Sequence, residues 1–519
     1  VRPDPLAFVL FGASGDLTSR KIIPALASLA ADDLLPDPFV LVGVARTEMT
    51  DDGFQELCRD AASDVAREPA GAAPAPSGDP SAGGASPEGA ARSAQKPAWE
   101  EVVSGFRYVT GDYDSDETFA ALADLLSDLD ESCGTGGNRC FYLATLPRLF
   151  GEVAAGLGRH GLNAPGTEGG FARLVVEKPF GEDLASSQRL DTRLHESFAE
   201  DQIYRIDHYM GKETVQNVLA LRFANAIFEP IWNRRYVDQV QVTVAESIGV
   251  EHRGAFYEGA GALRDIVQNH VMQVLALTLM EPPATMDPAA IRDEKVKLLR
   301  SIMVPSVRAV EHDVVRAQYD AGTVDGGPAV AYREEEGVAA RSTTETFVAM
   351  RLQVDNWRWA GVPLYVRTGK RLPERSTQVA MLFQRAPHLP FAGALVTDLR
   401  PDALVLRIQP DEGISLSFGA KVPGQAFRVR SVAMDFSYQE EFGGRPAEAY
   451  ERLLLDAMTG DPTLFIRADE VEQAWTVLAP VQAAFAADSL ALAHYPAGSW
   501  GPESADELLE ASGDRWHNP

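Results

Sequence analysis

The sequence predicts a two-part α/β protein: an N-terminal Rossmann-like dinucleotide-binding domain, followed by an α+β domain built on a large, mainly antiparallel sheet. Two patterns carry this expectation. Early in the chain, short apolar runs alternate with helical spacing: Leu6–Phe11, Phe39–Val44, Arg139–Leu143 and Leu174–Val176 read as buried strands, and Ile22–Leu29 has the period of a helix. Beyond Tyr204 the period becomes two, in Val240, Val242 and Val244, then in Val348, Met350, Leu352 and Val354, and again near Leu404–Ile408, Ile414–Phe418 and Val429–Met434. Strand following strand without a helix between them favours antiparallel pairing. The expected division is therefore 1–203 and 204–519. Helices at Gly261–Leu279 and Ala447–Met458 are expected to cover the open face of the large sheet.

The bulk composition narrows the function classes. A chain of 519 residues, 45% hydrophobic and 24% charged, is ordinary globular material for two or three domains. Its 75 acidic against 47 basic residues give a formal charge of −28. Such a surface repels nucleic acid and anionic membranes, so an anionic ligand must be drawn into a locally basic pocket. No apolar run is long enough to span a bilayer, and Val1-Arg2-Pro3-Asp4-Pro5 lacks the pattern of a secretory leader. The expectation is a cytoplasmic protein with neither nucleic-acid nor membrane partners. Cys58, Cys133 and Cys140 have no metal-ligand spacing and read as packing residues. Residues 67–98 collapse to Ala, Gly, Pro and Ser, which predicts a disordered insertion.

Gly12-Ala13-Ser14-Gly15-Asp16-Leu17 follows a strand and opens a helix, the setting in which a glycine turn lets a pyrophosphate approach a helix N-terminus. The spacing departs from G-x-G-x-x-G, so the stretch taken alone also reads as a plain turn. The second strand ends before Arg46, where an NAD enzyme tends to place a carboxylate for the ribose. An arginine there suits a 2′-phosphate and favours NADP, or is a solvated surface residue.

Arg205-Ile206-Asp207-His208-Tyr209-Met210-Gly211-Lys212-Glu213, if helical, sets His208 and Lys212 on one face, with the Tyr209 hydroxyl near, to grip one phosphate. His270 lies in an apolar helical pattern, Asp265-Ile266-Val267-Gln268-Asn269-His270, where an isolated histidine is ordinarily a packed core residue. The carboxylate of Asp207 changes that reading. Oxidising an alcohol carbon by hydride transfer to a nicotinamide requires its hydroxyl proton to leave with the hydride, and imidazole suits that task near neutral pH. A buried carboxylate on the other ring nitrogen fixes the tautomer.

Several segments together resemble the glucose-6-phosphate dehydrogenase family: Gly12–Leu17, Glu177-Lys178-Pro179-Phe180-Gly181, Arg205–Glu213, Phe223-Ala224-Asn225, Pro230-Ile231-Trp232-Asn233-Arg234, Gln268-Asn269-His270 and Arg367-Thr368-Gly369-Lys370. They occur in the family's order along nearly the whole chain. The Arg205–Glu213 stretch differs from the family signature in having methionine at 210 where leucine is usual. The 67–98 insertion is foreign to the family's usual length, and Phe141–Pro147 lacks its customary proline pair.

The resemblance implies His270 as general base with Asp207 as its partner, and His208, Tyr209 and Lys212 on the 6-phosphate. It places Lys178 between cofactor and sugar, Glu246, Asp265 and Lys370 on the sugar hydroxyls, and Arg375 near the substrate. On the cofactor side it implies Gly12, Ser14, Gly15, Asp16, Leu17, Arg46, Tyr113, Ala144 and Lys178, with NADP as cofactor and no metal. The implied reaction oxidises C1 of glucose 6-phosphate to the lactone. A homodimer or homotetramer, formed through the large sheet, is implied as well. The chain has only eight lysines, and three of them, Lys178, Lys212 and Lys370, fall on these positions, with Lys21 flanking the glycine turn. Two rival readings remain: a dehydrogenase of another sugar phosphate, and a catalytically silent NADPH-binding regulator.

Overall fold

The computed structural model describes residues 2–63, 99–166, 169–389, 399–424, 427–443, 448–510 and 513–519, so the expected insertion at 67–98 lies outside the described residues. Two compact units form. The first comprises Val1–Phe180, Gln188–Gly211 and Phe442–Arg467; the second comprises Gly181–Ser187, Lys212–Glu441 and Ala468–Pro519.

The first unit is built on six parallel strands: β1 (Leu6–Phe11), β2 (Phe39–Ala45), β3 (Arg107–Thr110), β4 (Arg139–Leu143), β5 (Ala172–Val176) and β6 (Ile203–Arg205). Their order is β3-β2-β1-β4-β5-β6. Every residue of β1 is buried, as expected of a parallel strand covered on both faces. Strand order reverses between β1 and β4, and the carboxyl ends at that switch point form the crevice where doubly wound sheets bind nucleotides. The helix Asp51–Ala62 starts where the Thr50 hydroxyl accepts the Gly53 N–H at 3.2 Å, and Asp116–Cys133 ends on Gly134 in the left-handed region.

The predicted helix at Ala447–Met458 is a correction. Its described part, Ala449–Thr459, packs against Ile23–Ala31 in the first unit and does not cover the large sheet. Arg173 of β5 donates to the carbonyl of Ala457 at 2.9 Å, and Ile466 bridges to Arg205 at the edge strand. The amphipathic pattern marks the helix, but nothing in a period names the surface it packs on.

The second unit holds a nine-stranded sheet and a small two-stranded one. The strands are β7 (Val237–Ala245), β8 (Val314–Asp320), β9 (Gly322–Val324), β10 (Gly327–Ala329), β11 (Phe347–Gln353), β12 (Pro363–Gly369), β13 (Ser376–Phe383), β14 (Ala403–Gln409), β15 (Gly413–Lys421), β16 (Val429–Ser437) and β17 (Leu492–Pro496). The large sheet runs β16-β15-β14-β13-β7-β12-β11-β8-β17, antiparallel except for the β7–β12 and β8–β17 pairs. The polar side chains alternating with Val240, Val242 and Val244 are buried rather than solvated. Gln241 donates to the carbonyl of Arg515 at 2.9 Å and accepts the His517 N–H at 2.7 Å, while Gln378 donates to the His517 carbonyl at 2.9 Å. The C-terminal segment thus satisfies amide groups that burial would otherwise leave unpaired.

The segment expected as one helix from Gly261 to Leu279 has three parts. Gly254–Ala262 is α-helical but breaks at Gly261, Leu263–Val271 is π-helical, and Met272–Leu279 is α-helical and buried throughout. No helix of the described residues is long and apolar enough to cross a membrane.

Candidate active site

At the carboxyl ends of β1 and β2 the chain turns through Gly12, whose φ is +88°. A Cβ there would stand 2.3 Å from the carbonyl oxygen of Ala144, so only glycine lets the two strand-end turns approach. The Gly12 N–H bonds the carbonyl of Val44 at 2.9 Å, and its own carbonyl accepts the Gly15 N–H at 2.9 Å and the Thr18 hydroxyl at 3.0 Å. The helix begins at Asp16 and Leu17, and exposed Asp16 pairs with Arg20 at 2.7 Å. Ser14 and Thr47 share a hydroxyl hydrogen bond of 3.0 Å.

Arg46 is exposed just beyond β2. Burial pushes the Tyr113 hydroxyl above its usual range, opposed by the nearby Arg46 charge and a Gly12 backbone bond, which places all three at this crevice. Tyr108 joins them, donating to the carbonyl of Thr47 at 2.8 Å. The buried Thr145 hydroxyl, next to Ala144, has no hydrogen-bond partner among the described residues. A glycine cradle that a Cβ would fill, an orphaned hydroxyl and an exposed guanidinium together fit a dinucleotide carrying an extra phosphate.

At the carboxyl end of β5, Glu177 is buried and accepts the hydroxyls of Tyr142 and Tyr450, the latter at 3.1 Å. Burial raises its carboxyl above the usual range, against the pull of the two tyrosines and of Lys178. Half-buried Lys178 follows it directly.

Arg205–Glu213 is not one helix, which corrects the conditional expectation that His208 and Lys212 share a helical face. β6 ends at Arg205, Asp207–Gly211 form a turn, and Lys212 occupies the N-cap of the helix Glu213–Phe223. The Asp207 carboxylate accepts the Tyr209 N–H at 2.9 Å, and its carbonyl accepts that of Met210 at 3.0 Å. Asp207 is 1% exposed. The His208 ring stacks on Tyr450, 6.3 Å between centroids and 10° between planes, and meets Tyr209 edge-on at 5.1 Å.

Asp191, His195 and Glu200 lie within metal-ligand distance of one another, but the Arg205 guanidinium already bonds both carboxylates, at 2.6 and 2.7 Å.

In the second unit, Glu246 and Lys370 leave the ends of the parallel pair β7 and β12, where Ala245 and Gly369 are in register. Their side chains pair at 2.6 Å, and the Lys370 ammonium lies 5.1 Å from the centre of the Tyr257 ring. Tyr257 is buried. Its hydroxyl is held well above its usual range, first by burial and then by the charges of Asp265, Glu345 and Glu246, so these groups cluster.

Asp265 and His270 lie on the π-helical stretch, His270 only 1% exposed. The wider i→i+5 turn brings residues five apart closer to one face than an α-helix would. Lys212 lies near half-buried Glu412, and exposed Arg375 donates to Gln409 at 3.3 Å. Sequence reasoning missed Tyr108, Tyr142, Tyr257, Glu345 and Tyr450, whereas Thr145 lies in the Ala144–Pro147 turn that the family resemblance implies on the cofactor side.

Residues 9–217 match the model of the glucose-6-phosphate dehydrogenase NAD binding domain, and residues 219–517 match the model of the glucose-6-phosphate dehydrogenase C-terminal domain. The chain is 46% identical over 515 residues to glucose-6-phosphate 1-dehydrogenase 2 of Mycobacterium tuberculosis, covering 99% of this chain and 95% of that one. Glucose-6-phosphate 1-dehydrogenase of Aggregatibacter actinomycetemcomitans is 45% identical, covering 100% and 98%. Among solved structures, a glucose-6-phosphate dehydrogenase in complex with its substrate superposes with a TM-score of 0.85 at 33% identity over 100% of both chains. The Mycobacterium avium glucose-6-phosphate 1-dehydrogenase gives 0.79 at 32% over 99% of both. With both of its domains matched and relatives this similar along its full length, the chain belongs to the glucose-6-phosphate dehydrogenase family.

Proposed function

We propose that this protein oxidises C1 of β-D-glucose 6-phosphate to 6-phosphoglucono-1,5-lactone with NADP. The observation that carries the reading is the full-length similarity to a dehydrogenase solved with that substrate. Local chemistry supports it at each end. NADP bound at the Gly12 turn supplies the hydride acceptor. Arg46 is the cation available to a 2′-phosphate, and Ser14, Gly15, Asp16, Leu17, Tyr113, Ala144 and Lys178 line the same strand ends.

On the substrate, His208, Tyr209 and Lys212 hold the 6-phosphate. Glu246, Asp265 and Lys370 hold sugar hydroxyls, with Arg375 near. The Glu246–Lys370 pair offers an acceptor and a donor side by side, which suits vicinal hydroxyls. His270 takes the C1 hydroxyl proton as the hydride leaves, and Asp207 fixes its tautomer. The reading extends to a cytoplasmic homodimer or homotetramer.

The test follows nicotinamide reduction with NADP and NAD in turn, offered glucose 6-phosphate, other hexose 6-phosphates or glucose. Reduction that requires glucose 6-phosphate supports the reading. Equal turnover of free glucose removes the purpose of the phosphate-binding set, and nucleotide binding without reduction points to a silent regulator.

A further inference from the structure

We propose that Glu345 is a positioning residue for the helical segment that carries Asp265 and His270, acting across the break in the helix at Gly261; this rests on the reading of His270 as the base. Helix Gly254–Ala262 does not run smoothly into the π-helical stretch, because Gly261 takes φ 68° and ψ 167°. That conformation is open essentially to glycine alone. The break leaves the first N–H groups of the following segment without acceptors in the helix before it.

Glu345 supplies two. Its carbonyl accepts the Ala262 N–H at 3.0 Å, and its carboxylate Oε1 accepts the Leu263 N–H at 3.0 Å. A Cβ on residue 261 would stand 2.4 Å from that Oε1, so glycine is also what admits the carboxylate. Glu345 is buried, and burial raises its carboxyl above the usual range while the Leu263 N–H opposes the shift.

The other end of the linkage reaches the sugar-binding pair. The neighbouring Thr346 donates its N–H to Ala317 at 2.9 Å and accepts the Lys370 N–H at 3.0 Å. One short stretch of chain therefore fixes the backbone of Lys370 and the first turn of the segment bearing Asp265 and His270. Proton abstraction needs the imidazole held in register with a hydroxyl that the Lys370 pair orients. Glu345 sets that register without touching substrate.

The test compares Glu345→Gln, which keeps the accepting oxygen, with Glu345→Asp, which draws the carboxylate back by one methylene, and Glu345→Ala, which removes it. We expect kcat to fall about a hundredfold in Glu345→Ala, the scale of a small misplacement of reacting groups, and less in Glu345→Asp. Glu345→Gln should stay close to wild type, NADP affinity should hold in all three, and kcat should fall by more than KM rises. A folded Glu345→Ala enzyme with wild-type kcat overturns the proposal. So does equal loss in Gln and Ala variants that merely follows their melting temperatures. Should the alanine variant not fold, equal kcat in the Gln and Asp variants overturns it.

Amide exchange over residues 262–271 provides a readout independent of activity: faster exchange in the Asp and Ala variants, but not in Gln, is the expected result. If wild-type protein fails to oxidise glucose 6-phosphate, the functional reading falls, while the exchange pattern still decides the positioning role.

Discussion

The Lys370 ammonium is held from two sides, by the Glu246 carboxylate at 2.6 Å and by the face of Tyr257 at 5.1 Å. The arrangement follows from strand register, because parallel β7 and β12 end together and release both residues side by side. A charge-assisted bond and a cation–π contact fix a flexible side chain before substrate arrives.

Lys370→Ala should therefore lower kcat/KM for glucose 6-phosphate by about 10- to 100-fold, since a hydrogen bond to a charged group contributes roughly 1.5–3 kcal/mol. Lys370→Arg should not restore it, because a bulkier planar fork cannot place a compact point charge against both the Glu246 carboxylate and the sugar hydroxyls. Steady-state kinetics of the two variants check this.

Gly12→Ala should weaken NADP binding by at least about tenfold, because a left-handed backbone costs a non-glycine residue about 1–2 kcal/mol before any clash is counted. The clash is severe here, with the added carbon 2.3 Å from the Ala144 oxygen. Fluorescence titration with reduced cofactor reads the change.

Glu177 carries a pH signature. Its carboxyl lies above the usual 4.5 in the folded protein because it is buried. The folded state therefore binds the proton more tightly than the unfolded chain, and the stabilisation it contributes is complete below the unfolded value and lost as pH rises through the raised one. Glu177→Gln, which keeps an oxygen for Tyr142 and Tyr450, should lose less stability than wild type as pH is raised from 4.5 toward neutrality. Melting temperatures of both proteins across that range decide it; parallel curves would contradict it.

Strands β1, β2, β4 and β5 of the first unit were legible because buried parallel strands read as short apolar runs between helical periods, whereas the short edge strands β3 and β6 lack such a run. Gly12 and Arg46 were legible for the same reason, since each sits at a recognisable strand end. The helical reading of Arg205–Glu213 failed because its apolar and polar residues fit either a helix or a strand ending in a turn, and pairing with β5 decided the matter. The return of Ala449–Thr459 to the first unit was invisible, as was Glu345. Both depend on contacts between residues far apart in the chain, Glu345 with Leu263 and Arg173 with Ala457. The break at Gly261 was invisible too, because one glycine inside an apolar helical period has no special meaning until its φ is known.

The central claim is that the imidazole of His270 removes the C1 hydroxyl proton, and steady-state turnover of His270→Asn tests it most directly. We predict a kcat lower by at least about a hundredfold, the lower end for loss of a general base, with the KM for glucose 6-phosphate little changed. A folded variant that turns over at the wild-type rate would contradict the account.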